Sequence, residues 1–365
     1  MNWQSRIRFD CPACGVRFDA QRRPLRCSCG SPLSSTMEWE EMRIDGSRPG
    51  LWRYGLALPF SEGTAPAMGE GFTPLVASTE EENLAYKLEF LFPSGSFKDR
   101  GTVMVMAEAR ASGASEVVQD SSGNAGASVA AYAARSGIKA TIVVPASTSE
   151  GKKKQILAYG ADLHVVDGDR SAASREAWRM AQNRFYASHV WNPLFLEGTK
   201  TFAFEIWEQH GFRAPDVIFI PTGNGTLLLG AWKGFSELLA RQLIGKMPRL
   251  VACQSSVCAP LFASLSGKGH EKGTTVAEGI AVLTPPRLEE MKCALGETGG
   301  TSVLVDDGEV LAEQKRLARA GFLVEPTAAV APAAARRALK EGLVERGERI
   351  IVPLTGSGLK NPPQD

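Results

Sequence analysis

Ser115-Glu116-Val117-Val118-Gln119-Asp120-Ser121-Ser122-Gly123-Asn124-Ala125-Gly126-Ala127-Ser128 moves from a short stretch centred on two valines, through a polar glycine-containing loop, into an alanine-rich stretch. A short β-branched run followed by small helix-forming residues reads as strand, loop and helix. The pattern continues outward. Ala125 to Ser136 predicts a helix, Ala140 to Val144 a buried strand, Glu150 to Tyr159 a helix and Leu163 to Val166 another strand. It returns in Val217 to Ile220, Leu227 to Ala240, Leu250 to Cys253, Ser302 to Val305, the helix after Asp307 and Ile350 to Leu354. Such alternation is βαβ logic, so an α/β fold with two mainly parallel twisted sheets flanked by helices is expected. Residues 31 to 70, rich in Gly, Pro and Trp, read as irregular.

With 365 residues, 44% hydrophobic and 22% charged, the chain has room for two packed domains and a small appendage. Its 41 basic residues nearly match its 40 acidic ones, and the net charge of +1 makes no electrostatic case for nucleic acid or an anionic membrane. No uncharged apolar run approaches the ~18 residues that span a bilayer, and the start lacks an apolar segment after its charges. A cytoplasmic location and a small-molecule partner are the expectation.

Four of the seven cysteines crowd the start, as Cys11-Pro12-Ala13-Cys14-Gly15 and Cys27-Ser28-Cys29-Gly30, with twelve residues between Cys14 and Cys27. Four thiolates suit a tetrahedral metal, and the glycine after each pair lets amides turn toward sulfur. A structural zinc ribbon over residues 1–40, with Cys11, Cys14, Cys27 and Cys29 as ligands, is the reading. A redox pair or a degenerate ribbon without metal stays open, because Cys-x-Cys is tighter than the usual spacing.

One lysine stands out, in Phe92-Pro93-Ser94-Gly95-Ser96-Phe97-Lys98-Asp99-Arg100-Gly101. A lysine among small and aromatic residues can form a Schiff base with an aldehyde, once desolvation or a cationic neighbour favours its neutral form. Three strand-ending loops accompany it. Pro221-Thr222-Gly223-Asn224-Gly225-Thr226 can cradle a phosphate on backbone amides. It has neither the Walker lysine nor the glycine spacing of a dinucleotide fingerprint. The Ser121-Ser122-Gly123-Asn124-Ala125 loop offers hydroxyls, amides and a carboxamide to a carboxylate or a phenolic oxygen. Thr355, in Leu354-Thr355-Gly356-Ser357-Gly358, supplies a neutral hydroxyl. Taken singly, each reads equally well as a turn or helix cap.

Together, and in this order, these segments resemble the fold type II pyridoxal phosphate enzymes, and within them the threonine synthase-like members. Glu70-Gly71-Phe72-Thr73-Pro74, Asn192-Pro193, Glu197-Gly198-Thr199-Lys200 and Glu325-Pro326 extend the match over most of the chain. The resemblance implies a ribbon over 1–40, a large cofactor domain from 41–100 and 190–365, and a small domain over 101–189. It implies pyridoxal 5'-phosphate as cofactor, Lys98 as the residue that carries it and moves the α-proton, and Asn124 at its phenolic oxygen. Gly223, Asn224, Gly225 and Thr226 would take its phosphate and Thr355 would face its ring nitrogen. Ser121, Ser122, Gly123 and Ala125 would hold the substrate carboxylate. By analogy with the fold, a homodimer is a further expected partner.

Departures concern the substrate. Where the family carries Asn-Ser-x-Asn-Pro-x-Arg, whose serine and arginine bind the phosphate of phosphohomoserine, this chain has Val190 and Phe195. Its Thr-Gly-Ser357-Gly replaces Thr-Gly-His-Gly, and Ala277-Glu278-Gly279-Ile280 looks closer to threonine dehydratase relatives. The expectation is a lyase acting on an L-amino acid by α-proton abstraction with β- or γ-elimination or replacement, in an altered acceptor pocket. Genuine threonine synthase activity, a serine or threonine dehydratase, and a non-catalytic protein that retains the cofactor are the alternatives.

Overall fold

A computed structural model describes residues 3–360 apart from 23, 122, 149, 270, 271 and 346. The chain divides into two compact units, residues 1–71 with 92–199, and residues 72–91 with 200–365. The boundaries expected at 100/101 and 189/190 both fall inside the first unit. The reason is non-local packing: the helix Lys98–Ala111 lies against the helices Asn124–Ser136 and Leu194–Thr199 of the same unit.

Unit 1 holds a three-stranded antiparallel sheet in which Ile7–Asp10 pairs with Arg17–Asp19 on one side and Ser34–Met37 on the other. The strand Ser34–Met37 and a 3-10 helix, Gly50–Ala57, give regular structure to part of the region read as irregular. Its second sheet is four-stranded and parallel, ordered Asp162–Val166, Lys139–Pro145, Glu116–Gln119, Phe185–Tyr186. Because Glu116–Gln119 and Phe185–Tyr186 are parallel neighbours, the loops that follow them leave the sheet at the same edge.

Unit 2 is built on a six-stranded sheet ordered Thr301–Val305, Arg249–Ser255, Val217–Pro221, Ile350–Pro353, Leu84–Lys87, Leu75–Ala77. All neighbours are parallel except the antiparallel edge pair Leu75–Ala77 and Leu84–Lys87. Val217, Phe219, Ile350 and Val352 are buried to within 2% in a core shared with Ala328–Ala335 of the helix Pro326–Lys340. A sheet covered in this way selects continuous apolar strands. Ligands of such sheets sit beyond the carboxyl ends of the strands, where the loop after Pro221 and the turn at Thr355 emerge from adjacent strands.

Candidate active site

In unit 1 the helix Lys98–Ala111 begins at the lysine singled out from sequence, after a loop bent by Gly95 at φ +80°. Lys98 is partly exposed, with Nζ 4.1 Å from the centre of the Phe97 ring. The next residue fixes the loop. Asp99, wholly buried, accepts hydrogen bonds from the Ser94 amide (2.7 Å), the Ser94 hydroxyl (2.5 Å) and the Ser128 hydroxyl (2.5 Å). Ser128 lies one turn into the helix that starts at Asn124, so Asp99 ties the lysine loop to the Asn124 helix. Gln155 adds a bond from its carboxamide to the Ser94 carbonyl at 2.9 Å.

Asn192 plays a second anchoring part. Its Nδ2 donates to Glu108 on the lysine helix at 2.8 Å, and its Oδ1 accepts from the Leu194 amide at 2.9 Å. The helix Leu194–Thr199 is thereby seated on the lysine helix, where only glycines fit. A Cβ on Gly198 would stand 1.8 Å from the Arg100 carbonyl oxygen, and one on Gly101 would stand 2.5 Å from the Phe195 ring. Phe195 is 1% exposed, so its phenyl group is packed onto the helix one turn beyond Lys98. Val190 is buried as well.

His189 escaped the sequence reading. It follows the strand Phe185–Tyr186 at the sheet edge that also carries the Ser121–Asn124 loop, and its ring lies edge-on 6.0 Å from Phe195. Desolvation first, and then the positive charges of Lys98 and Arg170, hold its imidazole well below the usual 6.5. It is therefore neutral at pH 7. The signal was its place directly before Val190, inside the segment where the family's pattern breaks. Of the expected carboxylate loop, Ser121, Gly123 and Ala125 lie where Glu116–Gln119 gives way to the helix, while Ser122 falls outside the described residues.

In unit 2 the loop Thr222–Gly225 joins Val217–Pro221 to the helix Thr226–Ala240. Gly225, at φ +75°, caps this 15-residue helix with no side-chain hydrogen bond. A Cβ at Gly223 would lie 2.8 Å from Ile280 Cα, and one at Gly225 2.2 Å from Met291 Sδ, so packing requires both glycines. The amides of the first turn remain available to an anion. Just past the adjacent strand Ile350–Pro353, Thr355 is 2% exposed, and its hydroxyl is buried with no hydrogen-bond partner. Its turn is fixed by the Glu325 amide donating to the Gly356 carbonyl at 3.1 Å. A buried hydroxyl without a partner costs ~1–3 kcal/mol, which suits a ligand atom that completes it. An uncapped glycine cradle and a waiting hydroxyl fit a phosphorylated pyridine ring.

Cys11, Cys14, Cys27 and Cys29 place their sulfurs within 4.8 Å of one another, with 3.5 Å between Cys11 and Cys29 and 3.4 Å between Cys14 and Cys27. Gly15 and Gly30 both adopt positive φ, as the knuckle reading requires. The Cys29 amide first, and then the neighbouring sulfurs, lower the Cys27 thiol to about 6. Tetrahedral ligands at ~2.3 Å from a zinc ion are ~3.8 Å apart, so the cluster can hold a metal ion.

A family model described as pyridoxal-phosphate dependent enzyme matches residues 67–356, and the chain belongs to that family. It is 33% identical over 374 residues to the threonine synthase of Methanocaldococcus jannaschii, covering 96% of this chain and 92% of that one. With the threonine synthase of Mycobacterium tuberculosis it shares 36% over 315 residues, 84% of this chain and 86% of the other. It is a threonine synthase-like member of the fold type II enzymes, a pyridoxal phosphate-dependent lyase. Among solved structures, a pyridoxal 5'-phosphate-dependent aspartate racemase superposes with a TM-score of 0.70 at 19% identity, covering 80% of this chain and 92% of that one. An L-serine ammonia-lyase from Rhizomucor miehei gives 0.68 at 24%, covering 78% and 93%. These two show the fold alone. Among the described residues no helix is long and apolar enough to cross a membrane.

Proposed function

We propose that this lyase acts on an L-amino acid whose side chain carries a less charged leaving group than phosphate, such as a hydroxy or acyloxy amino acid. The observation that carries the reading is the segment His189 to Phe195. Where the resemblance calls for a serine and an arginine, Val190 and Phe195 are buried apolar groups, and Phe195 is committed to packing on Gly101. Beside them His189 is a neutral imidazole, able to hydrogen-bond a hydroxyl or ester oxygen but without the charge that a desolvated phosphate needs.

When bound, the cofactor would withdraw electrons from the substrate α-carbon. The residues that the resemblance assigns to it are Lys98, Asn124, Gly223, Asn224, Gly225, Thr226 and Thr355, which would hold it. The Lys98 amine would take the α-proton, and the loop at Ser121, Ser122, Gly123 and Ala125 would orient the substrate carboxylate. Thr355, being neutral, would not keep a ring nitrogen protonated as a carboxylate does, and this favours elimination and replacement over transamination. The four cysteines would hold a structural zinc ion.

A second reading, threonine synthase activity on phosphohomoserine, is favoured by the identity with threonine synthases and by Arg170, whose charge bears on His189. A turnover screen of the holoenzyme with phosphohomoserine, homoserine, serine, threonine and their O-acyl derivatives, with product identification, separates the two. Release of an oxo acid or replacement product from the uncharged substrates supports the proposal. Threonine formed from phosphohomoserine alone, and lost in Arg170→Ala, establishes the second reading instead.

A further inference from the structure

Unit 1 contains a separate recess of about 960 Å³, formed by the segment around Trp3, residues 43–64 and the last turn of the helix that begins at Lys98. At 1.5 Å per residue, the helix places Arg110 roughly 18 Å from Lys98. Five arginines line this recess: Arg6, Arg43, Arg48, Arg53 and Arg110. The only acids among its lining residues are Asp45 and Glu62, and one guanidinium engages both, since Arg48 lies 3.2 Å from Asp45 and 3.3 Å from Glu62. The Ser47 hydroxyl and amide, then Arg48, hold Asp45 below the usual carboxylate range, so it is an anion at neutral pH.

Five guanidinium groups against two carboxylates leave three positive charges in one recess of a chain whose net charge is +1. Arg6 donates to the Leu56 carbonyl. Arg43 and Arg110 are exposed, and neither side chain has a hydrogen bond or ion pair among the described residues. One wall is aromatic: the partly exposed Trp3 ring stands 4.9 Å from that of Phe60, with Trp52 nearby in the lining. Guanidinium forks match phosphate oxygens, low-dielectric walls concentrate the field, and an indole offers a face to a planar ring. The volume is that of a small-molecule site.

We propose that this recess binds a small organic phosphate bearing a planar ring, the chemical class of the nucleoside phosphates. Arg43 and Arg110 provide the uncommitted donors for the phosphates, and Trp3 provides the surface for the ring. The site is independent of the cofactor and of the reaction at Lys98.

Calorimetric titration of the cofactor-loaded protein with ADP tests this, because the cofactor then occupies its own phosphate cradle. Inorganic pyrophosphate serves as the ligand with charge and no ring. ADP is expected to bind saturably, and more weakly as salt rises. The double variant Arg43→Ala/Arg110→Ala should weaken ADP and pyrophosphate each by about tenfold or more, the loss of charge-assisted hydrogen bonds. Trp3→Ala should weaken ADP and spare pyrophosphate. Both arginines are exposed, so the double variant should keep the parent's melting temperature and basal turnover. Absence of saturable ADP binding, or affinity unchanged in the double variant, would overturn the proposal. So would a double variant that alters oligomeric state and not ADP affinity, which would assign the face to a second copy of the chain.

Discussion

The loop before Lys98 and the loop before Thr226 each lead into a helix, yet they are held by opposite means. Around Lys98 the work is done by side chains: one buried carboxylate, Asp99, gathers three donors from two segments of unit 1. Around Thr226 it is done by the absence of side chains, with Gly223 and Gly225 closing on Ile280 and Met291 and no side chain capping the helix. In the proposed role the Lys98 amine has to be aimed, and the hydrogen bonds to Asp99 hold the loop that carries it. A phosphate carries its own charge and needs only donors that nothing else has claimed.

Asp99→Ala breaks the contrast most severely. It strands three buried donors and is expected to cost about 4 kcal/mol, read as a lower denaturation midpoint with unchanged slope. A loss near zero would show that the lysine loop is held by something other than Asp99. Gly225→Ala tests the other side, where a methyl group at φ +75° meets Met291 Sδ, at about 2 kcal/mol. Adding Met291→Ala should recover only the steric part, leaving the backbone cost, and the double-mutant coupling measures the split. Full recovery would show that positive φ costs nothing there.

His189 sharpens the comparison through pH. Its folded pKa lies below the unfolded value of 6.5, so below that pH the unfolded chain takes up a proton that the folded protein refuses. Stability present above pH 6.5 is therefore lost as pH falls through it, by about 1.4 kcal/mol per pH unit until the folded group titrates. His189→Gln should flatten that slope, and an unchanged acid dependence would place the proton uptake elsewhere. Thr355→Val gives the smallest stability change. Replacing an unpartnered buried hydroxyl by a methyl group should leave the cofactor-free protein equally stable or more stable by about 1 kcal/mol, while the bound cofactor's absorbance shifts. A cofactor-free protein destabilised by Thr355→Val would mean that the hydroxyl already has a partner.

Legibility followed the same division. Glycine loops were readable because positive φ and close backbone approach leave a local mark in the sequence, as at Gly15, Gly30 and Gly225. Buried parallel strands were readable as short apolar runs, and Val217 to Ile220 lies wholly within the strand found. What the sequence hid depends on partners far along the chain. Nothing local to Asp99 announces its bond to Ser128, and Ser34–Met37 became a strand only through pairing with Ile7–Asp10. The compact units, too, differ from the expected boundaries because the lysine helix packs on Leu194–Thr199, nearly a hundred residues away. Val190 and Phe195 were legible as departures from a pattern, but the ring of Phe195 resting on Gly101 was not.

The most direct test of the account is where the cofactor is attached. Borohydride reduction of the holoenzyme, followed by proteolysis and mass spectrometry, should place the reduced cofactor on the peptide containing Lys98, with no labelled peptide in Lys98→Ala. Labelling of another lysine, or an unchanged label in Lys98→Ala, would contradict it.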